Sequence, residues 1–415
     1  MANELVNPVA VLQESLMRWE NNIILFKQVN REFDDKFAVP NEKIGYTVNA
    51  RMPVRFRGRI GDAAQPEDIQ ETLVPVTINR LWGQDLNISD QDLTLTIDRF
   101  GERYIEGSSS IIANLMDGEG FDNYNQYYNF VGTPGTIPGT LATYATSRAA
   151  LARAAVPMGS RAMIIDPDME VNALGFQNNL FNPQDEIGRQ YSEGTMGKAI
   201  GFKWSMAQNV SRHTTGNFTG STPLVVAAPA QNATSITTNG WLPVTTGTLK
   251  KGEIVQFTGC NSINPASWRD TGKLANFVLT QDAAVDGTGA TTLNFQPPMN
   301  SDPTSPFQTV TALPVANAAI LVWGKAAGAA LNAIAQVSSS QGFAFHKDAL
   351  TIAVVPMELP GGMDWSERIN NNKIGMSMRL IRGFDIKSNT RITRLDVLGG
   401  WKALRQDWLV RVASA

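Results

Sequence analysis

Histidine is almost missing from this 415-residue chain: His213 and His346 are the only two. Hydrolysis through a Ser-His-Asp arrangement would have to recruit one of them as base. Neither is framed by the glycine pattern of a nucleophile turn. Cysteine is scarcer still. With Cys260 alone, no intrachain disulfide can form, which fits folding in a reducing compartment. No Cys/His pair stands at zinc spacing, and no aspartate-rich loop has the calcium pattern. The segment Gly194 to Lys198 lacks both the four-residue spacer and the hydroxyl residue that a phosphate loop requires. Asp34 and Asp35 read as surface charge, without a glycosidase pattern. The sequence therefore assigns no catalytic residue, no metal ligand and no cofactor, and an enzyme is not expected.

Long apolar runs are also missing. No stretch approaches the roughly twenty residues of a membrane span, and the N-terminus lacks the basic start and apolar run of a signal peptide. A net charge of −3 argues against a protein whose main task is gripping nucleic acid. What remains is the composition of a folded multidomain protein, 43% hydrophobic and 18% charged.

Charge disappears locally as well. From Asn217 to about Ser340, Thr, Gly, Asn, Pro and Ala dominate. Thr248 to Gly259 reads as a tight hairpin, and Leu274 to Asp282 as a further short strand. A small β-rich module is thus expected inside a charged α+β chain.

The flanks have their own pattern. Val9, Leu12, Leu16, Trp19, Ile23 and Phe26 recur at helical spacing, which predicts a helical arm over residues 1–37. Trp19 and Phe26 are candidates for contact with a partner. Residues 44–79 read as a long β-hairpin turning near Gly58 to Asp68. A strand of about fourteen residues would reach roughly 45 Å. Arg51, Arg55, Arg57 and Arg59 alternate onto one face of it, and Glu67, Asp68 and Glu71 begin the return strand. These seven are candidates for pairing between subunits, against the simpler reading of a solvated basic face.

A helix is expected from near Asp98 to Tyr128, with Tyr104, Ser108, Ile111, Ile112, Leu115 and Met116 on its inner face and a break at Gly118 to Gly120. Ser89 to Asp92 reads as a short helix start. Further helices are predicted over 143–155 and 168–174, and strands over 162–165, to Trp204, over 349–356 and from Met376 onward, with a short loop at Gly399 and Gly400.

In this order the pieces resemble a tailed-bacteriophage major capsid protein of the Hong Kong 97 fold. The resemblance runs through N-terminal arm, extended hairpin loop, long spine helix, and peripheral and axial domains. The segments Glu186 to Trp204 and Asp396 to Trp401 look like ones recurrent in that superfamily. Gly247 to Gly259 with Ala275 to Ala283 is similar to the inserted β-barrel domain of the coat proteins of short-tailed Salmonella phages. The resemblance covers essentially the whole chain and rests on the combination of segments.

It implies an α+β fold with an all-β barrel-like insertion. The implied segments are arm 1–37, extended loop 38–80, spine helix with peripheral and first axial part 81–216, inserted domain 217–340, and remaining axial and peripheral strands 341–415. It also implies a homo-oligomer of hexamers and pentamers in an icosahedral shell, located in the virion and assembled in the host bacterial cytoplasm. A scaffolding protein would guide assembly and a portal protein would occupy one vertex. The shell would enclose double-stranded DNA without sequence-specific binding and without a membrane. Some relatives cross-link through a lysine, for which Lys43 is the candidate amine, but this branch generally lacks that chemistry. A phage-encoded or secreted carbohydrate-binding adhesion protein is the alternative that the Thr/Asn/Gly-rich insertion suits by itself.

Overall fold

The structure is a computed structural model that describes residues 19, 23–31, 47–52, 55–58, 61–62, 73–89, 106–175, 197–217, 222–241, 249–323, 336–371, 376–386 and 390–415. The chain divides into two compact units. The first comprises Met1–Met52, Leu73–Gly120 and Leu350–Leu404; the second comprises Pro53–Thr72, Phe121–Ala349 and Arg405–Ala415.

The first unit is built on an antiparallel sheet. Thr390–Ala403 pairs along one edge with Leu350–Val355 and Met376–Asp385, and along the other with Arg80–Ser89; Trp365–Asn371 extends the sheet beyond Met376–Asp385. Ser89 ends this strand, and residues 90–92 of the expected helix start lie outside the described residues. Gly399 and Gly400 lie inside the long strand, not in a loop. Both are required by close approach: a β-carbon on Gly399 would stand 2.5 Å from the Ala353 carbonyl, and one on Gly400 would collide with that of Thr77.

The expected hairpin forms as a five-residue antiparallel ladder, with Thr47 opposite Thr77 and Arg51 opposite Leu73. Residues 55–58 are not in strand conformation, and Gly58 turns the backbone at φ +68°. The ladder packs Ala50, Val76 and Ile78 against Ala353.

Helix α1, Glu106–Asp122, occupies the position of the expected spine helix, and Asn123–Gln126 continues it as a 3-10 turn. Residues 98–105 lie outside the described residues. The helix runs unbroken through Gly118 and Gly120. Gly120 is a notch, since a β-carbon there would meet Leu25 Cδ2 at 2.5 Å and the Trp401 ring at 3.0 Å. The inner face is Ile112, Ala113 and Met116, whereas Ile111 and Leu115 are close to half exposed.

The second unit has a mixed sheet in the order Asn129–Val131, Leu409–Ala413, Ser338–His346, Arg161–Ile165, Phe202–Met206, Lys198–Ala199. Helices α2, Leu141–Arg153, and α3, Pro167–Gly175, fall within two residues of their predicted bounds. Tyr144, Leu151, Met163, Ile165, Met169, Phe202 and Trp204 form the core beneath them.

Within the same unit, residues 222–323 form an antiparallel sheet in the order Ile320–Val322, Ile254–Phe257, Phe277–Leu279, Thr291–Met299, Ala233–Asn239, Leu224–Val225. The two edges meet. Leu224 bridges Ala319, Val225 N donates to the Ala318 carbonyl at 3.0 Å, and Asn317 N donates to the Val225 carbonyl at 2.8 Å. The sheet is thereby closed into a barrel, which removes the free edges that an open sheet exposes. Phe257, Phe277 and Phe295 fill its centre, with ring centroids 5.1–6.0 Å apart. Cys260 belongs to this core, and burial pushes its thiol up to about 12.

The predicted hairpin over Thr248 to Gly259 does not form. Leu249 bridges Ala283, while Ile254–Phe257 pairs with Phe277–Leu279 and Ile320–Val322. Lys250 to Gly252 is a turn between strands whose partners are distant in sequence.

Candidate functional site

The chain enters and leaves the barrel side by side. Thr215 N donates to the Val337 carbonyl and Val337 N to Thr215 Oγ1, both at 2.9 Å. Beside this root the Lys250 to Glu253 turn plugs into the mixed sheet. Arg411, fully buried, is the centre of the joint. Its Nε and Nη2 donate to Gln341 Oε1 at 3.0 and 2.9 Å, and its Nη1 donates to the Gly252 carbonyl. The guanidinium also lies 5.0 Å from the Tyr124 ring centroid and 5.1 Å from that of Trp323. Gly252 is needed here: its φ is +90°, and a β-carbon would meet Asn125 Cβ at 3.1 Å and Tyr124 Cε2 at 3.2 Å.

Two more titratable groups share the joint. Glu253 accepts from Gly216 N, and burial pushes its carboxyl up to about 8. His213 Nδ1 lies 3.2 Å from the Tyr124 hydroxyl; burial, with Arg411 nearby, pushes it down to about 3, so the imidazole is neutral. His346 is also held below its ordinary value by burial. Its Nδ1 accepts from Asp348 N at 3.3 Å, and its ring stands edge-on to Trp408 at 5.0 Å. Both imidazoles thus serve packed polar joints. The Ser339 hydroxyl beside His213 addresses the backbone carbonyl of that residue.

Arg55 and Arg57 are seated on separate parts of the second unit. Arg55 Nη2 pairs with Asp407 Oδ2 at 3.2 Å, where burial raises the carboxyl and Arg55 opposes that rise. Arg57 Nε donates to the Ser305 carbonyl at 3.0 Å and Nη2 to Gln308 Oε1 at 2.5 Å, and its Cζ stands 4.4 Å above the Trp268 ring. Arg55 and Gln308 border a cleft of about 140 Å³ that Tyr128, Arg153 and Lys273 also line.

Trp19 and Phe26 are both buried, their rings edge-to-face at 5.0 Å. Phe26–Gln28 is a 3-10 turn rather than a continuing helix. The cause is Asp117 on α1. Its carboxylate accepts from the backbone N–H of Ile24 at 2.7 Å, Leu25 at 3.1 Å and Phe26 at 3.3 Å, donors that a helix would direct to its own carbonyls. Arg51 is placed by its backbone alone, opposite Leu73. Arg59, Glu67, Asp68 and Glu71 lie outside the described residues.

No family model and no curated protein matches the chain. Among solved structures, one of Mycobacterium phage Che8 is similar, at 12% identity and a TM-score of 0.48, covering 94% of this chain and 90% of that one. The capsid structure of cyanophage P-SCSP1u is similar over 92% of this chain and 88% of that chain, at 13% identity and a TM-score of 0.42. The I-domain of the CUS-3 coat protein is matched over its whole length by 26% of this chain, at 23% identity and a TM-score of 0.20.

Arg411, Glu253, Asp117 and Asp407 were missed by sequence reasoning. Glu253 and Arg411 sit in apolar strand patterns, Ile254-Val255 and Leu409-Val410-Val412, where a charge interrupts a buried run. That interruption was the available signal.

Proposed function

We propose that this chain is the major capsid protein of a tailed bacteriophage. The observation that carries the reading is a closed β-barrel inserted through adjacent chain crossings into a mixed sheet, in a chain that also supplies a long helix and an antiparallel hairpin. This matches the order of segments expected for a Hong Kong 97-type subunit with an inserted domain. On this reading residues 1–37 are the arm, 38–80 the extended loop, 81–216 and 341–415 the spine, peripheral and axial parts, and 217–340 the inserted domain. The protein acts by assembly rather than catalysis.

Copies form hexamers and pentamers in an icosahedral shell guided by a scaffolding protein, with a portal at one vertex and double-stranded DNA inside. The site of action is the virion, after assembly in the host cytoplasm. A mildly acidic subunit suits DNA that must enter and leave, because each neutralised phosphate adds affinity. Arg51, Arg59, Glu67, Asp68 and Glu71 are proposed to meet neighbouring subunits. A separately acting carbohydrate-binding module is disfavoured by the buried joint at the barrel root, which ties the barrel into the unit that carries it.

The test is assembly. Purified protein, together with a scaffolding protein, is expected to give closed shells by negative-stain microscopy. Monodisperse monomers under every assembly condition would refute the reading.

A further inference from the structure

Arg153 and Lys273 face one cleft of about 140 Å³, the first from the last turn of α2 and the second from the barrel strand Asp270–Leu274. Neither side chain has an ion pair or hydrogen bond among the described residues. We propose that this cleft binds a small anion, a carboxylate or phosphate group on a short apolar body, which bridges Arg153 on the helix to Lys273 on the barrel. The site belongs to the single subunit and does not depend on the capsid reading.

The charges around the cleft do not cancel. Asp407 is the one carboxylate among its lining residues, and it is already paired with Arg55 at 3.2 Å. The carbonyl end of α2 supplies about half a negative charge, against the two positive charges of Arg153 and Lys273. Two like charges facing one space repel, and an anion between them turns that repulsion into attraction.

The hydrogen-bonding groups point to the same ligand. Gln308 Oε1 accepts from Arg57 Nη2. The Thr309 hydroxyl donates to the Pro298 carbonyl at 2.8 Å and accepts from Asn300 N at 2.9 Å. The Ser262 hydroxyl meets Thr271 Oγ1 at 2.5 Å. Asn276 Oδ1 accepts from Gln256 Nε2 at 2.6 Å, which leaves its Nδ2 without a partner among the described residues. The side-chain groups that the helix and barrel walls leave for a ligand are therefore Arg153, Lys273 and Asn276 Nδ2. All three are donors, so the ligand must accept.

Between these groups the walls are apolar. Ala150 and Ala154 come from the helix side, Ile263 and Leu274 from the barrel, and Phe130 from the strand Asn129–Val131. The volume holds about ten water-sized groups, which matches a six-membered ring carrying one acid group. Apolar walls with a few convergent donors fix the orientation of such a ligand.

Isothermal titration calorimetry on the whole chain tests the assignment, with phenyl phosphate, benzoate, inorganic phosphate and neutral benzyl alcohol as probes. Phenyl phosphate and benzoate are expected to bind at one per chain. Inorganic phosphate should bind about tenfold more weakly, for want of the apolar contact, and benzyl alcohol not measurably. Arg153→Gln and Lys273→Gln should each weaken phenyl phosphate about tenfold, while Arg153→Lys keeps most of the binding. Arg148→Gln removes an exposed cation of the same helix outside the cleft and should change nothing. Ligand-free melting temperatures should match the wild type, because Arg153 and Lys273 hold no other described side chain in place. Absence of saturable binding by both aromatic acids, or undiminished affinity in the Arg153→Gln, Lys273→Gln double variant, would overturn the inference. Equal binding of benzyl alcohol would reduce the cleft to an apolar cavity and overturn it too. Duplex DNA that displaces phenyl phosphate at matched phosphate concentration would reassign the site to a nucleic-acid backbone. None of these outcomes bears on shell formation, which microscopy decides separately.

Discussion

Gly83 leaves room for Asp396: a β-carbon on Gly83 would stand 2.6 Å from Asp396 Oδ1. Asp396 is fully buried and cannot retreat, because Arg379 Nη2 donates to Oδ2 at 2.8 Å and Arg394 Nε donates to Oδ1 at 2.7 Å. Gly83→Ala is therefore expected to cost about 2 kcal/mol in denaturant unfolding, the cost of overpacking a site that cannot relax. Asp396→Asn should cost more, since it leaves two arginines facing a neutral group.

Asp117 holds the Trp19 to Val29 region through three backbone donors. Asp117→Ala strands those N–H groups in a buried setting and should cost about 3 kcal/mol. Amide exchange at Ile24, Leu25 and Phe26 should accelerate far more than at Ile112, a buried residue of the same helix as Asp117. Equal acceleration at both would mean global unfolding and not release of this segment.

The barrel joint should carry a pH signature. Glu253 has its folded-state value raised to about 8 from 4.5, so the folded protein keeps a proton that the unfolded chain has released. Its contribution is fully present below 4.5 and lost as pH rises through about 8. His213 has the opposite sign, gaining stability from about 3 upward, and its gain tails off over the unit above 6.5, where the unfolded imidazole is still half-protonated. Between pH 6.5 and 8 the wild type should therefore lose about 1 kcal/mol, and Glu253→Gln should show no such loss. A wild-type profile that rises over this window would show that Glu253 is ionised in the folded protein.

Gly252 and Gly259 share a positive φ, +90° and +81°, but a β-carbon on Gly259 meets nothing within 4 Å. Each alanine variant incurs the backbone strain, roughly 1 kcal/mol. Gly252→Ala alone should add a further loss from contact with Tyr124 and Asn125, of about 1 kcal/mol. Thermal melts of the two variants side by side isolate that packing cost.

The elements most legible in sequence were those whose pattern is local. Helices α2 and α3, the Arg161–Ile165 strand and the Leu350–Val355 strand follow from periodicity and turn chemistry within a dozen residues. The failures share a non-local cause. Gly399 and Gly400 read as a loop because nothing local reveals that the Ala353 and Thr77 carbonyls press against them. Gly120 read as part of a break because the approach of Leu25 and Trp401 is invisible from the helix itself, while Gly118 faces open space within an unbroken helix. Thr248 to Gly259 read as a hairpin because its partners, Phe277–Leu279 and Ile320–Val322, lie tens of residues away. The candidate contacts were not legible. Alternation grouped Arg51, Arg55, Arg57 and Arg59 on one face for pairing between subunits, whereas residues 55–58 are not in strand conformation and Arg55 and Arg57 are seated within the chain, on Asp407 and on Trp268, Ser305 and Gln308.

The position of Arg411 bears on how such a subunit changes over time. Because the barrel enters and leaves through paired residues at Thr215 and Val337, a deletion could rejoin the flanks with little disturbance of the backbone. The same deletion would remove the Gly252 carbonyl and the Trp323 ring that cover Arg411, opening its guanidinium to water while Gln341 still accepts from it. A chain without the barrel would thus carry a solvated charge at the place where this one has a sealed joint.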